Sequence, residues 1–146
     1  MLAKVLSFGL SGIKGYPIQI ELDISAVEVY NGDEYPKFGL VLLSEKTTLF
    51  FYIDGSNGLT TQKVGYVKGV NHTSWQWTNS VEKNVNISYT NNNYTKLKVV
   101  KDGQSITLLA NDEVVFEVNN FFEENEKVSA GILTFNTHVL INNWLF

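Results

Sequence analysis

The chain has no cysteine, only two histidines and only two prolines in 146 residues. Without cysteine there is no disulfide, no zinc–thiolate site and no thiol nucleophile, and a reducing or an oxidising compartment is equally compatible. The two histidines, His72 and His138, would need carboxylates to complete a transition-metal site, so they read as surface or turn residues. No serine stands in a G-x-S-x-G elbow, which removes the usual mark of a Ser-His-Asp hydrolase. Basic runs are also missing: 11 Lys+Arg against 15 Asp+Glu leave a net charge of −4, the wrong balance for a nucleic-acid partner. No apolar run approaches the roughly 20 residues of a membrane span. The opening MLAKVLSFGLSGIKG is interrupted by Ser7 and Ser11 and lacks a small-x-small cleavage site, so neither membrane insertion nor a signal peptide is expected.

What is present is apolar and aromatic, 44% and 13% of residues, the composition of a packed globule. The length fits one domain, residues 1–146, which can bury roughly 70% of its unfolded surface. No sustained helical stripe occurs, and almost every segment reads with period 2. From Tyr16, YPIQIELDIS alternates Ile18, Ile20, Leu22 and Ile24 against Gln19, Glu21 and Asp23, a half-buried strand. After a turn at Asn31, Gly32 and Asp33, KFGLVLLS and TTLFFYIDG are near-continuous apolar runs joined across Ser44–Lys46, expected deep in a sheet. LTTQKVGYVKG and VNISYT read as thinner strands. Between Tyr94 and Val118, three strands are expected with turns at Asp102-Gly103 and Asn111-Asp112, residue types that tolerate the positive φ of type I′. Their matched face is Leu97 and Val99, Ile106 and Leu108, and Val114, Phe116 and Val118. SAGILTF and HVLINNWLF close the chain as two more strands. The predicted class is all-β, an antiparallel two-sheet β-sandwich of jelly-roll type.

The stretch NHTSWQWTN sets two tryptophans two apart in a polar run. If it is extended, Trp75 and Trp77 share a face with Thr73 and Asn79, opposite His72, Ser74, Gln76 and Thr78. Rings of this size pack in a core or stack on a ligand. As a platform, the indoles would meet the apolar face of a pyranose, with Asn71, His72, Gln76 and Asn79 hydrogen-bonding its hydroxyls. Sequons stand at Asn71, Asn86 and Asn93, and would matter only in a eukaryotic secretory setting.

From Phe38 onward the order of motifs FGLVLLS, LFFYIDG, YTKLKVVKDGQSITLLANDEVVFEV and AGILTFNTHVLINNWLF resembles the concanavalin A-like, or laminin-G-like, jelly-roll superfamily, over about three quarters of the chain. MLAKVLSFGLSGIKGYPIQIELDIS, with its Gly12–Tyr16 turn, is similar to the opening strands of ComM-type magnesium-chelatase-like ATPases. That second resemblance ends where the chain continues Ala26-Val27-Glu28-Val29-Tyr30, and no G-x-x-x-x-G-K-[ST] loop follows, so no ATPase activity is carried over.

The jelly-roll resemblance implies a ligand-binding fold, some of whose members hydrolyse polysaccharides with an E-x-D-x-E strand. Here the pattern is Glu21-x-Asp23-x-Ser25, with a hydroxyl in the third position, while a retaining glycosidase needs a carboxyl pair about 5 to 5.5 Å apart. Jelly rolls of this type often bind calcium, and Asp54 and Asn57 in the Asp54–Gly58 loop supply the hard oxygen atoms for it. The same loop also reads as a plain turn in which Gly55 and Gly58 take positive φ. The expected function is a non-catalytic, lectin-like accessory or adhesion module recognising a glycan or a protein surface. The alternatives are a polysaccharide hydrolase with an incomplete site, or a structural module without a small ligand. No cofactor is expected, calcium at Asp54 and Asn57 being the one candidate.

Overall fold

The computed structural model describes the backbone of residues 3–9, and residues 18–29, 35–70, 74–123 and 126–145 in full. The Gly12–Tyr16 and Asn31–Asp33 turns lie outside the described residues. Among those described, twelve strands follow in the order β1 Ala3–Gly9, β2 Ile18–Val29, β3 Lys37–Leu43, β4 Thr48–Asp54, β5 Lys63–Val70, β6 Ser74–Trp75, β7 Val81–Asn84, β8 Thr95–Asp102, β9 Ser105–Ala110, β10 Glu113–Asn119, β11 Ser129–Phe135 and β12 Thr137–Leu145. They form a seven-stranded sheet in the order β1-β11-β3-β4-β5-β6, with β7 also on β5, and a five-stranded sheet β10-β9-β8-β2-β12. All pairings are antiparallel. The architecture is the expected two-sheet jelly roll. Among the described residues no helix is long and apolar enough to cross a membrane.

Alternation explains the core between the sheets. Ile20, Leu22 and Ile24 of β2, Leu97 and Val99 of β8, and Ile106 and Leu108 of β9 meet Phe38, Leu40 and Leu42 of β3 and Leu49, Phe51 and Ile53 of β4. The near-continuous runs of β3 and β4 have a second cause. Their alternate residues, Val41 on β3 and Phe50 and Tyr52 on β4, join Val67, Leu133 and Phe135 in a separate apolar cluster on the outer face of the large sheet, covered by Trp75 and Trp77. A strand buried on both faces loses its polar alternation.

Three local expectations are corrected. Val114 does not join the meander's inner face. A bulge between Val114 and Phe116 sets Val114 opposite Leu109 and Phe116 opposite Leu108, and the extra residue turns Val114 out to 51% exposure. The first meander turn is centred on Gly103-Gln104, because Asp102 pairs with Ser105; Gly103 alone has positive φ, as in a type II′ turn. The second turn is as expected, with Asn111 and Asp112 both at positive φ. VNISYT is not a ladder strand. It is held by single bonds, from Val85 N–H to the Gln62 carbonyl and from Ala26 N–H to the Tyr89 carbonyl, while Ile87 and Tyr89 bury their side chains.

Candidate functional site

The free edge of β5 is shared by two short strands. Trp75 and Ser74 of β6 pair with Gly69 and Val70, and Val81 to Asn84 of β7 pair with Tyr66 to Lys63. Between them the Gln76 N–H still bonds the Lys68 carbonyl, and then the chain leaves the ladder in a 3-10 turn, Trp77–Asn79, with bonds from Asn79 N–H to Gln76 and from Ser80 N–H to Trp77. Thr78, Asn79 and Ser80 favour such an excursion because their side chains compete with the ladder for backbone groups. The extended geometry expected for 73–79 therefore stops at Trp75.

The break folds both indoles onto the outer face of the large sheet. Trp75 lies 5.6 Å from the Phe50 ring and 5.9 Å from Trp77, and Trp77 lies 5.8 Å from both Tyr52 and Phe135. Trp75 comes this close to the strand because Gly69 has no Cβ; one added there would stand 2.8 Å from the indole. Both tryptophans are half-buried, so core packing and an accessible ring face coexist in them.

Trp77 forms one wall of a cleft of about 450 Å³, lined also by Tyr35, Lys37, Asp54, Ser56, Ser80, Glu82 and Phe135. Cross-strand register assembles it. Lys37 of β3 stands opposite Asp54 of β4, and Tyr52 of β4, Gly65 of β5 and Glu82 of β7 form the next row. Lys37 Nζ is 3.6 Å from Asp54 Oδ1 and lies over the Tyr52 and Trp77 rings, 5.4 and 5.7 Å from their centres. The Tyr52 hydroxyl donates to Glu82 Oε2 at 3.1 Å, passing over Gly65. Burial, followed by the negative charge of Glu82, pushes the Tyr52 hydroxyl pKa far above its ordinary value, while a hydrogen bond with Ser80 pulls the other way. The cleft thus offers an indole face, an ammonium, two carboxylates and two serine hydroxyls.

Of the nominated binding residues, only Trp77 lines this cleft, with Trp75 buttressing it from beside. Gln76 and Asn79 are exposed on the same loop, and Asn71 and His72 lie outside the described residues. The calcium candidates Asp54 and Asn57 stand at the end of β4 and in the turn that follows it. Asp54 Oδ1 accepts from the Ser56 N–H and hydroxyl and pairs with Lys37, so its charge is already engaged. Among the described residues no group of three or more His, Asp or Glu is placed to hold a metal. Gly58 has the positive φ expected of it, but Gly55 has φ −93°, and a Cβ there would come within 2.9 Å of the end of the Leu59 side chain. Asn57 and Leu59 take the left-handed conformation instead. Glu21 and Asp23 are on the opposite side of the sandwich. They face out from the small sheet, opposite Lys98 and Lys96, and Asp23 accepts from the Asn143 amide. His138 is exposed beside Glu28. Sequence reasoning missed Lys37, Ser56, Ser80 and Glu82. For Lys37 a signal existed, since a hairpin closed at Ser44–Thr47 sets it opposite Asp54.

No known family profile matches the chain, and no curated protein matches its sequence. Solved structures do. The carbohydrate-binding module CBM66 from Bacillus subtilis superposes with a TM-score of 0.70 at 15% identity, covering 97% of this chain and 80% of that one. A galectin from Caenorhabditis elegans does so at 0.59 and 12%, covering 94% and 90%. A glycoside hydrolase family 16 endo-glucanase from Bacteroides ovatus does so at 0.55 and 13%, covering 93% and 67%. At these identities the likeness is one of fold alone, a two-sheet antiparallel jelly roll.

Proposed function

We propose that this protein is a non-catalytic, lectin-like carbohydrate-binding module of the concanavalin-like, laminin-G-like class, and that the Trp77 cleft holds the glycan. The observation that carries this reading is the cleft's composition. A pyranose has apolar C–H faces and an edge of hydroxyls; Trp77 supplies a flat apolar wall, and Lys37, Ser56, Ser80 and Glu82 supply donors and acceptors around it. The neighbouring lectin and carbohydrate-binding folds support the same reading. On this reading Trp75 buttresses the Trp77 ring, and Gln76 and Asn79, exposed on the same loop, would contact a longer glycan.

The hydrolase alternative would rest on Glu21 and Asp23, which face out from the other sheet in cross-strand register with Lys98 and Lys96, away from the Trp77 cleft. A glycan-array screen, followed by calorimetric titration of the best binder, tests the proposal. Trp77→Ala should weaken binding at least about fivefold, the loss of roughly 1 kcal/mol. Absence of binding to every glycan, or a Trp77→Ala variant that binds as well as the parent, would remove the assignment.

A further inference from the structure

The charges in the cleft are unequal. Two carboxylates, Asp54 and Glu82, face one ammonium, Lys37, among the described lining residues. Asp54 takes up the charge of Lys37 at 3.6 Å, and the two aromatic rings beneath Nζ hold that ammonium in place. Among the described residues Glu82 has no cation beside it in the cleft; its hydrogen-bond partner is the neutral Tyr52 hydroxyl. Lys63 is next to Asp54 across the ladder but does not line the cleft, and Lys83 occupies the alternate position on β7, whose residues project to opposite faces. A feature of composition points the same way. All 11 basic residues of the chain are lysines, so it has no planar guanidinium fork, the group best suited to gripping the carboxylate or sulfate of an acidic sugar through two parallel bonds.

We infer that the Trp77 cleft selects uncharged glycans and rejects those carrying carboxylate or sulfate, with Glu82 as the residue that sets this preference. The inference rests on the carbohydrate-binding reading. An anionic sugar drawn onto Trp77 would bring its charge toward a carboxylate with no described ammonium beside it, and like charges at that range repel. A neutral sugar instead finds in Glu82 a strong acceptor for a hydroxyl. The long-range field agrees, because the whole chain carries −4.

The test uses an array of matched pairs, each neutral oligosaccharide beside the same chain with one exocyclic hydroxymethyl oxidised to carboxylate or one hydroxyl sulfated. The neutral member should bind at least about tenfold more tightly at 50 mM salt, and the ratio should shrink at 500 mM as the charges are screened. Glu82→Gln, which keeps the side chain's shape, should bring the ratio within about threefold, weakening the neutral member by loss of a charged acceptor and strengthening the acidic one by relief of repulsion. The salt series on the unaltered protein reports the same preference even if the variant folds poorly. Equal or tighter binding of the acidic members would overturn the inference and leave carbohydrate binding standing. No binding to either member would instead overturn the carbohydrate reading and this inference with it.

Discussion

Substituting Gly65 by alanine should damage the cleft without removing any functional group. Gly65 lies between Tyr52 and Glu82 in a three-strand row, and the Tyr52 hydroxyl reaches Glu82 across the space a side chain would fill. A Cβ at Gly65 would stand 2.6 Å from Tyr52 Cζ and from its hydroxyl oxygen, and 2.9 Å from Glu82 Cγ. The Tyr52 ring cannot retreat easily, being buried against Phe50 at 5.2 Å and Trp77 at 5.8 Å. Overpacking of this kind costs about 1–3 kcal/mol, and a hydrogen bond to a charged group is worth about 1.5–3 kcal/mol if the ring yields by breaking it. Alanine returns about 0.5–1 kcal/mol of strand propensity. Strain and bond loss are alternative responses to one clash, so the net expectation is a loss of about 0.5–2.5 kcal/mol, or roughly 2–9 °C in melting temperature for a domain near this size. Urea unfolding of Gly65→Ala, of Tyr52→Leu and of the double variant measures it. Leucine lacks the two tyrosine atoms that clash, so the alanine should cost much less in that background, a coupling of about 1 kcal/mol or more. Additive effects, or a Gly65→Ala protein that melts with the parent, would refute this account of the cleft floor.

Trp75→Ala and Trp77→Ala should each cost about 1–3 kcal/mol of stability, below the 3–5 typical of a fully buried aromatic because both rings are only half covered; thermal melts check this, and glycan binding should suffer more from Trp77→Ala. Burial, reinforced by Asp54, pushes the Tyr89 hydroxyl up to about 12, and Tyr52 is raised further by burial and Glu82. Both stay protonated in the folded chain while the unfolded chain ionises near 10, so stability from these groups is intact below pH 10 and falls as pH rises from there toward their folded values. An alkaline denaturation series should show that fall, and Tyr89→Phe should reduce it. A chain starting after Ser25 loses β1 and the core of β2, which pairs with both β8 and β12 in the small sheet, and should give no cooperative melt by calorimetry. A polysaccharide panel should show no hydrolysis, and any activity that Glu21→Gln abolished would restore the hydrolase reading.

Periodicity made the fold legible and the site illegible, for one physical reason. Alternation reports which face of a regular strand is buried, so Ile18 to Ile24 and the Leu97–Leu108 hairpin could be placed on the inner face directly from their spacing. The unbroken runs KFGLVLL and TLFFYID signalled strands covered on both sides, but nothing local said that the second cover would be two tryptophans from a distant edge. The failures cluster where regularity stops. One inserted residue in β10 reversed Val114, and one 3-10 turn after Gln76 took Trp77 out of the strand whose alternation had been used to place it. Lys37 and Asp54 sit at strand ends, where a charge ordinarily marks only the approach of solvent; as cross-strand partners they become a largely buried pair at the cleft. Glu82 belongs to a strand with all four residues exposed and no apolar pattern to reveal its face. Its role depends on Gly65, since only a residue without Cβ lets Tyr52 reach it. The cleft is thus assembled from positions where local rules are broken in the same neighbourhood: a glycine inside a strand, a tryptophan in a polar loop and a lysine over two rings. Each departure weakens the ladder or the packing pattern by itself. Together they leave an aromatic wall beside a lysine, two carboxylates and two serine hydroxyls, the kind of local cost a sandwich this fully packed elsewhere can carry.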